Sequence, residues 1–213
     1  MDRHRALASL VAGLATFALG GSLGAHAVGA APRAPVFVAM ETSLGAIVVR
    51  LDAARAPRTT ANFLRYVTTH AYDGATFYRF VPRRHRSGGR VTISVIQGGL
   101  QTKLGEHAVD HLRTIPLEST AMTGLSNVDG TIAMARDVGP NTASSEFFIN
   151  LGDDTVLDAA RFKDKHGYAV FGRVVRGMSV VHAIAASHTK PDPLMTALLD
   201  PPITIVSMRV VTP

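Results

Sequence analysis

Phe77-Tyr78-Arg79-Phe80, Val95-Ile96-Gln97-Gly98-Gly99, Gly130-Thr131-Ile132-Ala133-Met134-Ala135-Arg136, Glu146-Phe147-Phe148-Ile149-Asn150 and Tyr168-Ala169-Val170-Phe171-Gly172-Arg173 are apolar runs interrupted by isolated polar residues. Short runs rich in β-branched and aromatic side chains, separated by Gly, Pro, Asn and Asp clusters, read as strands of an all-β barrel or sandwich, not as a βαβ array. Strands are expected near Phe77–Phe80, Val91–Gln97, Thr131–Ala135, Phe147–Leu151, Ala169–Val174 and Ile203–Val211. Upstream, Val36–Met40 and Ala46–Leu51 flank Thr42-Ser43-Leu44-Gly45 and form a hairpin pattern. Two helices complete the picture. Pro57–Thr69 opens with a proline suited to a first turn and carries Ala61, Phe63, Leu64 and Val67 as an apolar stripe; a shorter helix covers Ser179–Ala186.

The chain has 213 residues, enough for one ordinary domain with an appendage. It contains no cysteine, which excludes a disulfide framework, a zinc-thiolate site and a cysteine nucleophile. At the N-terminus, Arg3 and Arg5 precede an Ala/Leu/Val/Gly/Phe stretch over Ala6–Gly21, and Ala25-His26-Ala27 offers small residues for processing. This is the build of a signal peptide over residues 1–27, cleaved after Ala27. A short linker, 28–34, would then lead to a single domain over 35–213. The alternative is an uncleaved anchor, for which Leu7–Ala25 is short and only modestly hydrophobic. Cleavage would leave a periplasmic or secreted protein with no stable membrane insertion. The formal charge is +6 for the whole chain and +5 once Asp2, Arg3 and Arg5 are removed. A basic exported domain is attracted to anionic surfaces in general, and charge alone selects none of them.

Taken together, in this order, the quoted runs resemble the cyclophilin peptidyl-prolyl isomerases, and the likeness extends to Thr60-Ala61-Asn62-Phe63 in the first helix. The resemblance implies a mainly β fold: a closed, eight-stranded antiparallel barrel capped by two helices. It also implies an enzyme that turns X-Pro amides between cis and trans in proline-containing polypeptides, without metal, cofactor or nucleophile. By the same resemblance Arg79 stands at the catalytic arginine and Gln97 at the glutamine that orders substrate and arginine. Phe148 and Leu157 stand at the apolar pocket, with Val95, Ala135 and Arg136 along the groove and Tyr168 where many members carry histidine. Each residue alone has a plainer reading: Arg79 as a surface arginine, Phe148 and Leu157 as core. A monomer is the expected state. The alternative in another class is a binding or chaperone module that keeps the fold with weakened catalysis.

The chain departs from the family pattern in four places. Between Pro82 and Gln97 it has fourteen residues, Arg83–Ile96, where the common form has four. Ser94 stands where a pocket phenylalanine is usual, with Ile93 or Val95 the candidates to fill the space. Glu146 replaces a glutamine and brings a carboxylate near Arg79, where a close ion pair is expected. Val156 replaces a bulky aromatic beside Leu157, which implies a shallower pocket.

Other chemistries have weaker support. Arg83, Arg84, His85, Arg86 and Arg90 around Ser87-Gly88-Gly89 read as a solvated hairpin or as a docking arm for an acidic partner. Few aromatics interleave with this basic run, which argues against nucleic acid. His107 and His111 have helical i, i+4 spacing, but the sequence contains no zincin-type motif, so no metal is expected. Ser144-Ser145 lack a nucleophile elbow.

Overall fold

The computed structural model describes residues 35–83, 93–191 and 197–212. The expected signal peptide and linker, and the basic centre of the insertion, lie outside the described residues.

The chain opens with the expected hairpin, β1 (Val36–Thr42) and β2 (Gly45–Leu51). Thr42 Oγ1 donates to the Gly45 carbonyl at 2.7 Å, and Gly45 itself takes φ +124°, a turn conformation that favours glycine. Along both strands, side chains alternate between the core and the outside. Val38 and Met40 on β1, and Ile47, Val49 and Leu51 on β2, are all buried, as the two-residue period of a strand requires. Helix α1 (Pro57–Thr68) follows. No side chain of its own caps its N-terminus; a distant residue does. Glu118 accepts from the backbone amides of Arg58 and Thr59 at 3.1 and 2.8 Å, and from the Thr59 hydroxyl at 2.7 Å. A buried carboxylate is thereby matched to unpaired amides and to the positive end of the helix.

The remaining strands are β3 (Thr76–Val81), β4 (Val95–Gly99), β5 (Thr131–Met134), β6 (Phe147–Asn150), β7 (Val170–Arg176), β8 (Thr189–Lys190) and β9 (Leu198–Val211). Short helices α2 (Gln101–Leu104), α3 (Glu106–Asp110) and α4 (Thr120–Thr123) sit between β4 and β5, and α5 (Met178–Ala185) follows β7. All pairings are antiparallel, in the order β1-β2-β7-β5-β6-β4-β3-β9-β8. β1 also pairs with β9, which closes eight strands into a ring and leaves β8 outside it. The expected barrel is therefore present, with a short ninth strand and three short helices added.

Two expected boundaries differ from the structure by more than two residues. β9 begins at Leu198 rather than Ile203, because Pro201 and Pro202 fall in a bulge between the Phe77–Ile203 and Arg79–Leu198 pairs, where the missing amides break no ladder. β4 begins at Val95: of the expected start, Val91 and Thr92 lie outside the described residues, and Ile93 and Ser94 are not part of the strand. Ser94 does not extend that strand because its amide donates to the Asp154 carboxylate, 3.1 Å from both oxygens.

The barrel interior and the inner faces of α1 and α5 form one core that includes Phe63, Tyr72, Phe77, Phe147, Phe171, Val181 and Ile184. Phe147 lies at its centre: the rings of Phe63, Tyr72 and Phe77 are each 5.6 Å away in edge-to-face geometry. The Tyr72 hydroxyl donates to the Ser145 carbonyl at 2.7 Å, so this aromatic brings no unpaired polar group inside. Phe147→Ala should lower unfolding free energy by about 3–5 kcal/mol, measured by denaturant titration. A loss below about 1 kcal/mol would mean that the neighbouring rings collapse into the space.

Candidate active site on the outer face of the barrel

Strand alternation decides where the site lies. Ile96, Phe147, Ile149 and Ile132 point into the main core, so their neighbours Val95, Gln97, Phe148 and Ala133 face outward. Gln97 pairs with Arg79 on β3 and with Phe148 on β6, and Phe148 pairs in turn with Ala133 on β5. Cross-strand partners project to the same side, so Arg79, Gln97 and Phe148 form a row across three strands. The outer backbones of that row are roughly 10 Å apart, twice the strand spacing.

One end of the row is polar. Arg79 Nη1 donates to Gln97 Oε1 at 2.9 Å, and Gln97 Nε2 donates to the Tyr78 hydroxyl at 2.6 Å. That hydroxyl lies 2.9 Å from both the Glu146 carboxylate and Gln101 Oε1. Glu146 also accepts from the amides of Leu100 and Gln101 at 2.7 and 3.1 Å and from the Ser145 hydroxyl at 3.2 Å. The direct ion pair expected between Glu146 and Arg79 is absent, because the carboxylate is turned into the α2 entrance and reaches the arginine only through Tyr78 and Gln97. Burial raises the Glu146 pKa above the usual carboxylate range, against the pull of these donors. Burial, and then the neighbouring Glu146 charge, hold the Tyr78 hydroxyl protonated. The relay fixes the Gln97 amide in one orientation. It also leaves Arg79 Nε buried without a hydrogen-bond partner among the described residues.

Gly99 is the one residue type that this arrangement admits. It has φ +152°, and a Cβ there would sit 2.4 Å from Glu146 Oε1.

The other end is apolar. Val81, Val95, Ala133, Phe148, Leu157 and Val170 form a second cluster, with Ile93, Ala135, Phe162 and Tyr168 packed against it. Leu157 arrives on a 3₁₀ turn, Thr155–Leu157. Tyr168 meets Phe148 and Phe162 edge-on, at 5.5 and 5.1 Å. Both candidates for the space at Ser94 thus belong to this apolar cluster. Phe162, which no sequence pattern marked, supplies a further ring. Val156 is 46% exposed and adds little wall.

Arg136 lies along the groove, but its charge is already engaged. Its guanidinium pairs with Asp164, donates to the carbonyls of Gly167, Asp137, Val138 and Gly139, and covers the Tyr168 ring at 5.0 Å. Ala135 and Arg136 line a groove of about 460 Å³ together with Gln97 and Glu146. Among the described residues no three His, Asp or Glu side chains converge as a metal site, and no helix is long and apolar enough to cross a membrane.

The family model "Cyclophilin type peptidyl-prolyl cis-trans isomerase/CLD" matches residues 37–210, which span every strand and both longer helices. The chain belongs to the cyclophilin family. It is 37% identical to a peptidyl-prolyl cis-trans isomerase of Acinetobacter baylyi over 193 residues, covering 90% of this chain and 92% of the relative. It is 34% identical to peptidyl-prolyl cis-trans isomerase A of Dickeya dadantii, covering 82% and 84%. A cyclophilin crystal structure from Cryptosporidium parvum superposes with a TM-score of 0.65 at 20% identity, covering 84% of this chain and 99% of that one. The same protein has been crystallised in the presence of the dipeptide Ala-Pro.

This cyclophilin has a clamp beside its pocket that the sequence pattern did not mark. Asp154 precedes the Leu157 turn, and its side chain is only 1% exposed. It accepts from the Ser94 amide and from Arg83 Nη2 at 2.7 Å, and so ties both described ends of the insertion to the turn. Burial pushes its pKa up to about 6, against the pull of Ser94 and Arg83. A group whose folded pKa is raised stabilises the fold fully at low pH and loses that contribution as pH rises through the folded value. The stability of wild type relative to Asp154→Asn should therefore fall between about pH 4 and pH 6–7, by on the order of 2–3 kcal/mol, and be flat above. A pH-independent difference in denaturant titrations would reject this account.

Proposed function

We propose that this cyclophilin isomerises X-Pro bonds of exported polypeptides, with Arg79 as the electrostatic catalyst and Gln97 as the residue that orients substrate and arginine. Phe148 and Leu157 seat the proline ring, and Val95, Ala135, Arg136 and Tyr168 border the bound peptide. The reading rests above all on one observation: an arginine whose buried Nε has no partner among the described residues stands two strands from an apolar cluster around Phe148 and Leu157, and a glutamine pairs with both Arg79 and Phe148.

The chemistry asks for little more. Rotation about an X-Pro bond is slow because the planar amide loses its resonance on twisting, a barrier of ~18–20 kcal/mol. A catalyst need only stabilise the twisted amide more than the planar one. In the twisted state the proline nitrogen regains a lone pair, which a fixed cationic donor can meet. Arginine stays charged at every working pH and presents its donors on a rigid plane. A hydrogen bond to a charged group contributes about 1.5–3 kcal/mol, or one to two decades in rate. The apolar pocket supplies the remainder by gripping the ring and excluding water around the donor.

Arg79→Ala should lower kcat/KM in a protease-coupled proline-peptide assay by about ten- to a hundredfold while the folded circular-dichroism spectrum persists. Turnover unchanged by this substitution, together with retention of unfolded clients, would favour the binding-module alternative. Export is tested separately. N-terminal sequencing of the protein from the extracytoplasmic fraction should begin at Val28; soluble cytoplasmic protein with an intact Met1 would reject the signal-peptide reading.

A further inference from the structure

The 460 Å³ groove lined by Gln97 is also lined by Thr114, and Thr114 lines a second, adjoining cleft of about 430 Å³. Their walls are tied together, since Asn62 of the second donates to the carbonyl of Ser144 in the first at 2.6 Å. Their charges are opposite. Asp110 and Asp137 line the first, with Glu146 behind them, while its one arginine, Arg136, is neutralised by Asp164. The second is lined by Arg58, Arg65 and Arg113, and no carboxylate lines it.

Helical spacing explains how the arginines converge. Arg58, Ala61, Asn62 and Arg65 share one face of α1, and the Arg113–Pro116 segment forms the facing wall. Arg65 is held in place by bonds to Asn62 Oδ1 at 3.1 Å and the Tyr66 hydroxyl at 3.0 Å, and it lies 4.5 Å from the Tyr66 ring centre. The guanidinium groups of Arg58 and Arg113 are exposed and have no hydrogen-bond or ion-pair partner among the described residues. Glu118 is near, but it is buried and occupied by the first-turn amides of α1. Three cations around one cleft repel one another unless an anion joins them, and the cleft continues the groove that would carry a substrate chain.

We infer that the Arg58–Arg65–Arg113 cleft is a substrate subsite that takes an acidic side chain of the polypeptide, several residues from the proline seated by Phe148 and Leu157. This rests on the isomerase reading and adds a charge pattern to it. The acidic groove next to Gln97 disfavours Asp or Glu close to the proline, and the arginine cleft favours them further along.

The test uses a series of neutral peptides with one X-Pro bond, in which a single Glu is moved outward from the proline on either side. Each is measured for turnover and, by fluorescence anisotropy, for binding. At low salt one distal Glu position should bind and turn over about three- to tenfold better than the neutral parent, through KM, while a Glu next to the proline should do worse. The gain should vanish near 0.5 M salt, where screening shortens the reach of the arginines to roughly 4 Å. In Arg58→Glu/Arg113→Glu the preference should invert, so that a Lys at the same position gives the better peptide, an outcome an unfolded variant cannot produce. Equal binding of all peptides, or a Glu preference that survives the double charge reversal, overturns the subsite. Charge-dependent binding without any turnover upholds the cleft and overturns the isomerase reading instead.

Discussion

The site depends on the register that sets Gln97 opposite Arg79 on one side and Phe148 on the other. Because side chains alternate with a period of two, a slip of one residue in β4 would carry Gln97 into the core and Ile96 to the surface. The core forbids that slip: Ile96, Phe147 and Phe77 are fully buried, and an amide among their side chains would lose its hydrogen bonds to water. Closure of the ring by β1 on β9 leaves no free edge along which the strands could shift. Thus the packing that stabilises the barrel interior also aligns the polar and apolar halves of the outer site. The geometry of the candidate site here follows from core geometry.

Charge is handled differently at each buried position, and the differences sort the residues by role. Arg136 is covered on every side by Asp164, four carbonyls and an aromatic face, so it braces the groove rather than acting on what enters it. Asp154 joins the roots of the insertion to the Leu157 turn. Glu146 holds the start of α2 and, through Tyr78, the orientation of Gln97. Arg79 differs from these in keeping a buried donor that no group among the described residues satisfies. Such a donor is unfavourable in the free protein. On the rim, the exposed Arg58 and Arg113 have no hydrogen-bond or ion-pair partner among the described residues, and they line the cleft that adjoins the groove.

Much of the architecture was legible in the chain itself. The hairpin, α1, α5 and the strands through Phe77, Thr131, Phe147 and Val170 follow from local periodicity, because each buries one face of a regular element. The start of β9 was not legible, since Pro201-Pro202 argue against a strand and only the partner strand reveals a bulge that tolerates them. Nor was the start of β4, where the alternation through Ile93 suggested a longer strand but a carboxylate sixty residues away captures the Ser94 amide. Glu146 shows the same limit. Proximity in the pattern suggested an ion pair with Arg79, yet its oxygens turn toward the amides of Leu100 and Gln101.

By itself, then, the order of residues determined the fold class, because strand periodicity and composition are local properties, and the likeness of its motifs to the cyclophilins marked the family and the residues of the Arg79–Gln97–Phe148 row. Tertiary structure alone decided which charges are engaged and which remain open: the Tyr78 relay, the Asp154 clamp, the contribution of Phe162 and the joining of two oppositely charged clefts at Thr114. Hydrogen bonds and electrostatic fields depend on distances between residues far apart in the chain, and only the closed barrel sets those distances.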